Sequence, residues 1–196
     1  MKKSPYLLAS LVVILLMQAC TNSANKAESS SESATNNKDS LSIIKNGDAE
    51  FLKNAASSGM MEVELGKLAE TNASHIRVKN FGSMMVKDHS KANDELITMA
   101  KSKNIPLPES VNASHQKHIN LLKNRKGSAF DLTYINIMVR DHKGDVKKFK
   151  GAAKDAVDTD VKTFAVEILP VLQKHLDSAK AIHKILKPAL DNVIIP

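Results

Sequence analysis

The chain has 196 residues, 42% of them hydrophobic but only 4% aromatic, with no Trp and a formal charge of +7 from 28 basic and 21 acidic residues. Sparse aromatics and interspersed charges provide neither the stacking platforms nor the basic stripes of nucleic-acid binding, so no nucleic-acid partner is expected. One cysteine excludes an internal disulfide, and a globular part of about 150 residues suits a single domain.

Met1-Lys2-Lys3 opens an apolar run from Tyr6 to Met17, followed by Gln18-Ala19-Cys20. The run is shorter than the about 20 apolar residues a spanning helix needs. A basic start, a short apolar segment and a small residue before a cleavage point describe a secretory signal. Leu16-Met17-Gln18-Ala19-Cys20 resembles a bacterial lipobox, so residues 1–19 are expected to be a lipoprotein signal peptide with Cys20 lipidated. The alternative is an ordinary secreted protein with one leftover thiol. Several acyl chains anchor stably where a single one does not, so the expected partner is the membrane, through Cys20. Thr21 points to the outer membrane, facing the periplasm. Residues 20–45, rich in Ser, Asn and Ala and without aromatics, bury too little surface to repay ordering and read as a flexible tether.

Residues 46–190 carry helical periodicity in four blocks and almost no strand signal. The first block, about Asp48 to Asn72, has Leu52, Ala55, Gly59, Glu62, Gly66 and Ala69 on one stripe. The second, about Ser74 to Lys103, has Val78, Gly82, Met85, His89, Ala92 and Leu96. The third, about Phe130 to Val157, has Ile135, Met138, His142, Val146 and Phe149. The fourth, about Thr159 to Leu186, has Val161, Ala165, Ile168, Leu172, His175 and Ala179. Apolar stripes spaced three and four apart build left-handed bundles, and Gly59, Gly66, Ala69 and Gly82 would let the first two helices approach closely. Pro170 is expected to bend the fourth.

Asn104 to Ser128 breaks the pattern with Pro106 and Pro108 and can add a short helix over Val111 to Leu122. The other two connections are very short. Helices one and two therefore form one antiparallel hairpin and three and four another, joined by a long crossover. The fold class is all-α, a ferritin-like four-helix bundle. A weak internal repeat agrees: Val78-Lys79-Asn80-Phe81-Gly82 matches Val161-Lys162-Thr163-Phe164-Ala165, with Ala69 and Ala152 in equivalent places.

Each stripe has one polar interruption near its middle: Glu62, His89, His142 and His175. Residues at mid-helix meet at one height whatever the helix direction. Both His89 and His142 end a Met-Val-Lys/Arg-Asp-His string, and the helices flanking the crossover run parallel, which would set the two strings side by side. The carboxylate-rich set and Glu-x-x-His pairs of di-iron bundles are absent. Three imidazoles and a carboxylate suit one transition-metal ion, Zn, Fe, Ni or Cu. Met85 and Met138, one turn from their histidines, could add thioethers for copper, and Asp88 and Asp141 are candidate second acceptors that orient the rings. The competing readings are a structural layer of mutually satisfied polar groups, with methionine as core filler, and a haem or other ligand site. His75, His115, His118 and His183 read as peripheral and solvated. No Gly-x-Ser-x-Gly, P-loop or His-Glu-x-x-His occurs.

The segments Glu62-Val63-Glu64-Leu65-Gly66-Lys67-Leu68-Ala69, Met85 to His89, Phe130 to Tyr134 with Asp141-His142, and Leu169-Pro170 through His175-Leu176 resemble a family of bacterial envelope domains of unknown function, of the predicted outer membrane protein and ferritin-like type. The resemblance spans the domain and implies a periplasmic four-helix bundle without a known reaction. Two functions stay open: a non-enzymatic, lipid-anchored envelope protein with a structural, stress-related or interaction role, and a metal-binding or metal-dependent redox protein.

Overall fold

The structure, a computed structural model, describes the backbone of residues 32–191 and the side chains of residues 47–187. The segment expected as a signal peptide, Cys20 and the first part of the expected tether lie outside the described residues. Five helices follow one another: α1 (Glu32–Asn72), α2 (Ile76–Ser102), α3 (Ala113–Lys123), α4 (Gly127–Asp155) and α5 (Thr159–Asp191). Among the described residues there is no strand. The four long helices and the short crossover helix stand where the periodicity puts them, with one difference. α1 begins at Glu32, inside the stretch expected as tether. Glu32, Ala34, Lys38 and Leu41 favour helix, and extending a nucleated helix adds one hydrogen bond per residue fixed.

α5 runs through Pro170 as one helix of 33 residues. The carbonyl that proline frees belongs to Val166, a residue 53% exposed, so solvent can satisfy it.

α1 packs along α2, and α4 along α5, each pair closed by a connection of three residues that forces an antiparallel hairpin. The hairpins meet through α1 against α4 and α2 against α5, while α3 lies across α1 and α4. This pairing puts α2 and α4 on opposite corners of the bundle. The two Met-Val-Lys/Arg-Asp-His strings therefore face each other across the core rather than lying side by side.

Small residues set the α1–α2 distance. A Cβ at Gly82 would stand 2.7 Å from Ala69 Cβ and 2.8 Å from the Gly66 carbonyl oxygen, and a Cβ at Gly59 would collide with Asn93.

The hairpins also cap each other. Asp131 at the start of α4 accepts from Ser74 N at 3.1 Å, Ser74 Oγ at 2.6 Å and His75 N at 2.9 Å, closing the start of α2. Asp48 in α1 accepts from Val157 N at 3.1 Å and Asp158 N at 2.8 Å, closing the start of α5. A buried carboxylate at a helix N-terminus satisfies orphan amides and meets the positive end of the dipole. Asp48 and Asp131 are 83 residues apart, as are Ser74 and Val157, and as are the repeat partners Val78 and Val161. The repeat in sequence is thus a two-fold repeat of contacts.

The core divides into two apolar clusters. One, near the α1–α2 turn, contains Met61, Leu65, Phe81, Met85, Phe130, Tyr134 and Met138. The other, toward the α4–α5 turn, contains Leu52, Leu96, Phe149, Phe164, Leu172 and Leu176. Burial of such side chains contributes about 1.5–3 kcal/mol each. Between the clusters lies a buried polar layer.

Candidate metal centre

That layer takes one side chain from each long helix: Glu62 from α1, His89 from α2, His142 from α4 and His175 from α5. His89 and His175 are the middle residues of their helices, which is why opposite helix directions bring them to one height. All four are buried, at 2%, 6%, 0% and 0% exposure. The ring centroids of His89, His142 and His175 are 5.2–5.7 Å apart. One nitrogen of each ring lies within 4.8 Å of the corresponding nitrogens of the other two.

Each ring is held by one nitrogen. His89 Nδ1 is 3.2 Å from Glu62 Oε2. His142 Nδ1 is 3.0 Å from the Met138 carbonyl oxygen, nearer than Glu62 Oε1 at 3.6 Å. We assign Nδ1–H as donating to the Met138 carbonyl oxygen, because 3.6 Å exceeds hydrogen-bond length. His175 Nε2 is 2.9 Å from Asp88 Oδ2. The remaining nitrogens, His89 Nε2, His142 Nε2 and His175 Nδ1, are buried with no hydrogen-bond partner among the described residues.

Electrostatics keep the rings neutral. Burial, then the neighbouring histidines, pushes His89 well below the usual range. Burial and His175 push His142 down to about 4. Burial lowers His175 too, with Asp88 opposing it. Glu62 moves the other way, well above the carboxylate range, through burial and the negative charges of Asp145 and Asp141.

Asp88 thus lies within hydrogen-bond distance of a central ring. Asp141 does not: its carboxylate faces His118 Nδ1 at 3.2 Å and Arg140 Nε at 3.0 Å, because α4 turns it toward α3. Met85 and Met138 are fully buried in the apolar cluster beside Phe130 and Tyr134. His115 and His118, expected to be solvated, tie α3 down. His115 Nδ1 is 2.8 Å from Ser57 Oγ, and His118 meets Asp141 and Arg140. His75 caps α2 by accepting from Arg77 N.

Asp145 escaped the sequence reading. It is buried, accepting from Ser58 Oγ at 3.2 Å and Lys148 Nζ at 2.9 Å. Its signal lay in the repeat, since it is offset from Glu62 by the same 83 residues.

Fold and site together define a four-helix-bundle protein with a buried three-histidine centre backed by carboxylates. Residues 30–182 match the domain of unknown function DUF4142, and the chain belongs to that family. No curated protein matches it. Among solved structures it is similar to CopM in the Cu(II)-bound form, with a TM-score of 0.60 and 14% identity over 70% of this chain and 95% of that one. It is also similar to a DUF305 protein from Streptomyces coelicolor, with a TM-score of 0.55 and 13% identity over 74% of this chain and 93% of that one. These likenesses concern the helical-bundle fold. Among the described residues no helix is long and apolar enough to cross a membrane.

Proposed function

We propose that this chain is an envelope protein that binds one transition-metal ion, copper foremost, through His89, His142 and His175. The carrying observation is three buried rings that each bring one nitrogen within 4.8 Å of the other two and that each keep one buried nitrogen without a partner among the described residues. A structural polar layer would satisfy those nitrogens internally, because an orphaned buried polar atom costs about 1–3 kcal/mol. Each ring is held from behind by a carboxylate or a carbonyl, the arrangement that fixes the tautomer of a metal-ligating histidine. The rings are neutral at pH 7, so their lone pairs are available without deprotonation. Imidazole ligands suit Cu, Zn, Ni and Fe, and the affinity order favours Cu(II). The bundle shared with Cu(II)-bound CopM supports the same choice. Burial and the negative charges of Asp145 and Asp141 raise the Glu62 pKa, and a cation bound beside it would favour its ionised form and offset part of the added charge.

The test is titration of the purified, metal-stripped mature chain with Cu(II), Zn(II) and Ni(II). One equivalent of Cu(II) should bind most tightly. His89→Ala, His142→Ala and His175→Ala should each weaken binding by about 10–100-fold or more. Absence of stoichiometric binding for all three ions and for Fe(II) would refute the reading. The envelope location is part of this proposal and rests on the lipobox at Cys20. Cys20→Ser should release the protein from membranes, and its retention there would refute the anchor.

A further inference from the structure

Charge is not spread evenly along the bundle. Residues 69–82, 120–135 and 182–187 form the end at the α1–α2 turn, seven residues or more beyond the central layer on the long helices. They hold seven basic residues and two acidic ones. The rest of residues 47–187 hold sixteen basic and fifteen acidic residues, which nearly balance. Of the two acids at this end, Asp131 is buried and caps α2, so Glu70 is the exposed one. Most of the net charge of the described side chains therefore sits at one end. In sequence these cations look dispersed, because the start of α2, the connection before α4 and the last turns of α5 meet only in the fold.

Arg77, Lys123, Arg125, Lys126, Lys184 and Lys187 are exposed there. None of the six forms an ion pair among the described residues. Two stand where helix electrostatics disfavours a cation. Arg77 lies in the first turn of α2 and Lys126 is the N-cap of α4, and neither first turn contains an acid. The positive end of a helix dipole favours negative charge, so both starts call for an external anion. Apolar side chains stand among the cations. Ile76, Leu121 and Ile185, at 64%, 45% and 40% exposure, are three of the six exposed large hydrophobic residues. A second copy docked end to end would bring like charges together. A soluble anionic polymer would meet the cations and leave the aliphatic side chains in water. An anionic bilayer accepts both, because headgroups attract Lys and Arg while aliphatic side chains enter the acyl boundary.

We propose that this end of the bundle docks on an anionic phospholipid surface. Arg77, Lys123, Arg125 and Lys126 meet the headgroup phosphates, and Ile76, Leu121 and Ile185 enter the interface. This end lies at the C-terminal end of α1, away from the side on which Cys20 precedes the helix. The contact uses no acyl chain and no residue of the central layer, so it stands apart from both the anchor and the metal reading.

Sedimentation of the unlipidated mature chain, carrying Cys20→Ser, with lipid vesicles tests this. Phosphatidylcholine vesicles with about 30% phosphatidylglycerol should bind it about tenfold or more tightly than phosphatidylcholine alone, and about 0.5 M NaCl should abolish the difference. Arg77→Glu/Arg125→Glu/Lys126→Glu should weaken that binding about tenfold or more, and its acids suit the helix starts they occupy. Lys101→Glu/Lys147→Glu/Lys150→Glu makes the same charge change at exposed positions toward the other end and should weaken binding by less than about threefold. Ile76→Ser/Leu121→Ser/Ile185→Ser should weaken vesicle binding about tenfold and leave binding to soluble polyphosphate unchanged. No preference for anionic vesicles, or equal loss in the two charge variants, would overturn the proposal. So would wild-type vesicle binding by the aliphatic variant, which would assign this end to a soluble polyanion. Salt releases this contact but not an acyl anchor, so membrane retention through Cys20 is read after a wash at the same salt.

Discussion

At pH 7 an imidazole as deeply buried as that of His142 carries no charge, since burial and His175 bring it to about 4 from an ordinary 6.5. That shift links stability to pH. As the pH falls from 6.5 toward 4, the unfolded chain takes up a proton at this position and the folded chain does not. Stability is therefore complete above 6.5 and is lost progressively toward 4, by about 3 kcal/mol for this group. His89 and His175 act in the same direction. Glu62 opposes them, because its raised pKa lets the folded state hold a proton the unfolded state has shed. Urea melts of metal-free protein should accordingly show lower stability at pH 4.5 than at pH 7, and His142→Leu should flatten the difference. Equal stability at the two pH values would refute the linkage. The four side chains of the layer were legible because each interrupts an apolar stripe at mid-helix. The acceptor that each ring finds was less so: Asp88 and Asp141 lie at the same position of two strings that differ only by Lys87 and Arg140, yet only α2 turns its aspartate toward a central ring.

Among the elements, helix ends and helix contacts carry the most testable energetics. Asp131→Ala leaves Ser74 N, Ser74 Oγ and His75 N without their acceptor, and Asp48→Ala does the same to Val157 N and Asp158 N. Each should cost about 1–2 kcal/mol in urea unfolding. Because the caps sit at opposite ends of the bundle, the costs should add; losses within about 0.5 kcal/mol of zero would mean that water replaces the carboxylate. Glycines separate packing from propensity. Gly82→Ala drives a methyl into Ala69 and the Gly66 carbonyl and should destabilise by about 1–3 kcal/mol. Gly144→Ala, with nothing within 4 Å of the new Cβ, should instead gain up to about 1 kcal/mol of helix propensity. If both substitutions change stability alike, close approach does not govern the α1–α2 contact. Periodicity made these helices readable. The early start of α1 was not, because a Ser- and Asn-rich composition conceals helix that grows from an already packed segment.

For the whole molecule, the three histidines come from both hairpins, α2 on one and α4 and α5 on the other, so an ion held by them would join the two halves of the bundle. Binding to the folded state alone at a free ion concentration of 100 times Kd adds about 2.7 kcal/mol. In a domain of this size that is about 5–10 °C in Tm. Calorimetry with and without Cu(II) should show this rise in the wild type and lose it in His142→Ala; an equal rise in both would assign the copper elsewhere. Sequence alone determined the helical architecture, the hairpin pairing and the residues of the central layer, because period, loop length and polar interruptions are local properties of the chain. Tertiary structure alone decided that α2 and α4 lie on opposite corners and that Asp48 and Asp131 cap helices of the other hairpin. It also decided which nitrogen of each ring is left unpartnered. Those outcomes depend on how helices rotate and close against one another in the packed bundle, and no residue records that rotation by its identity.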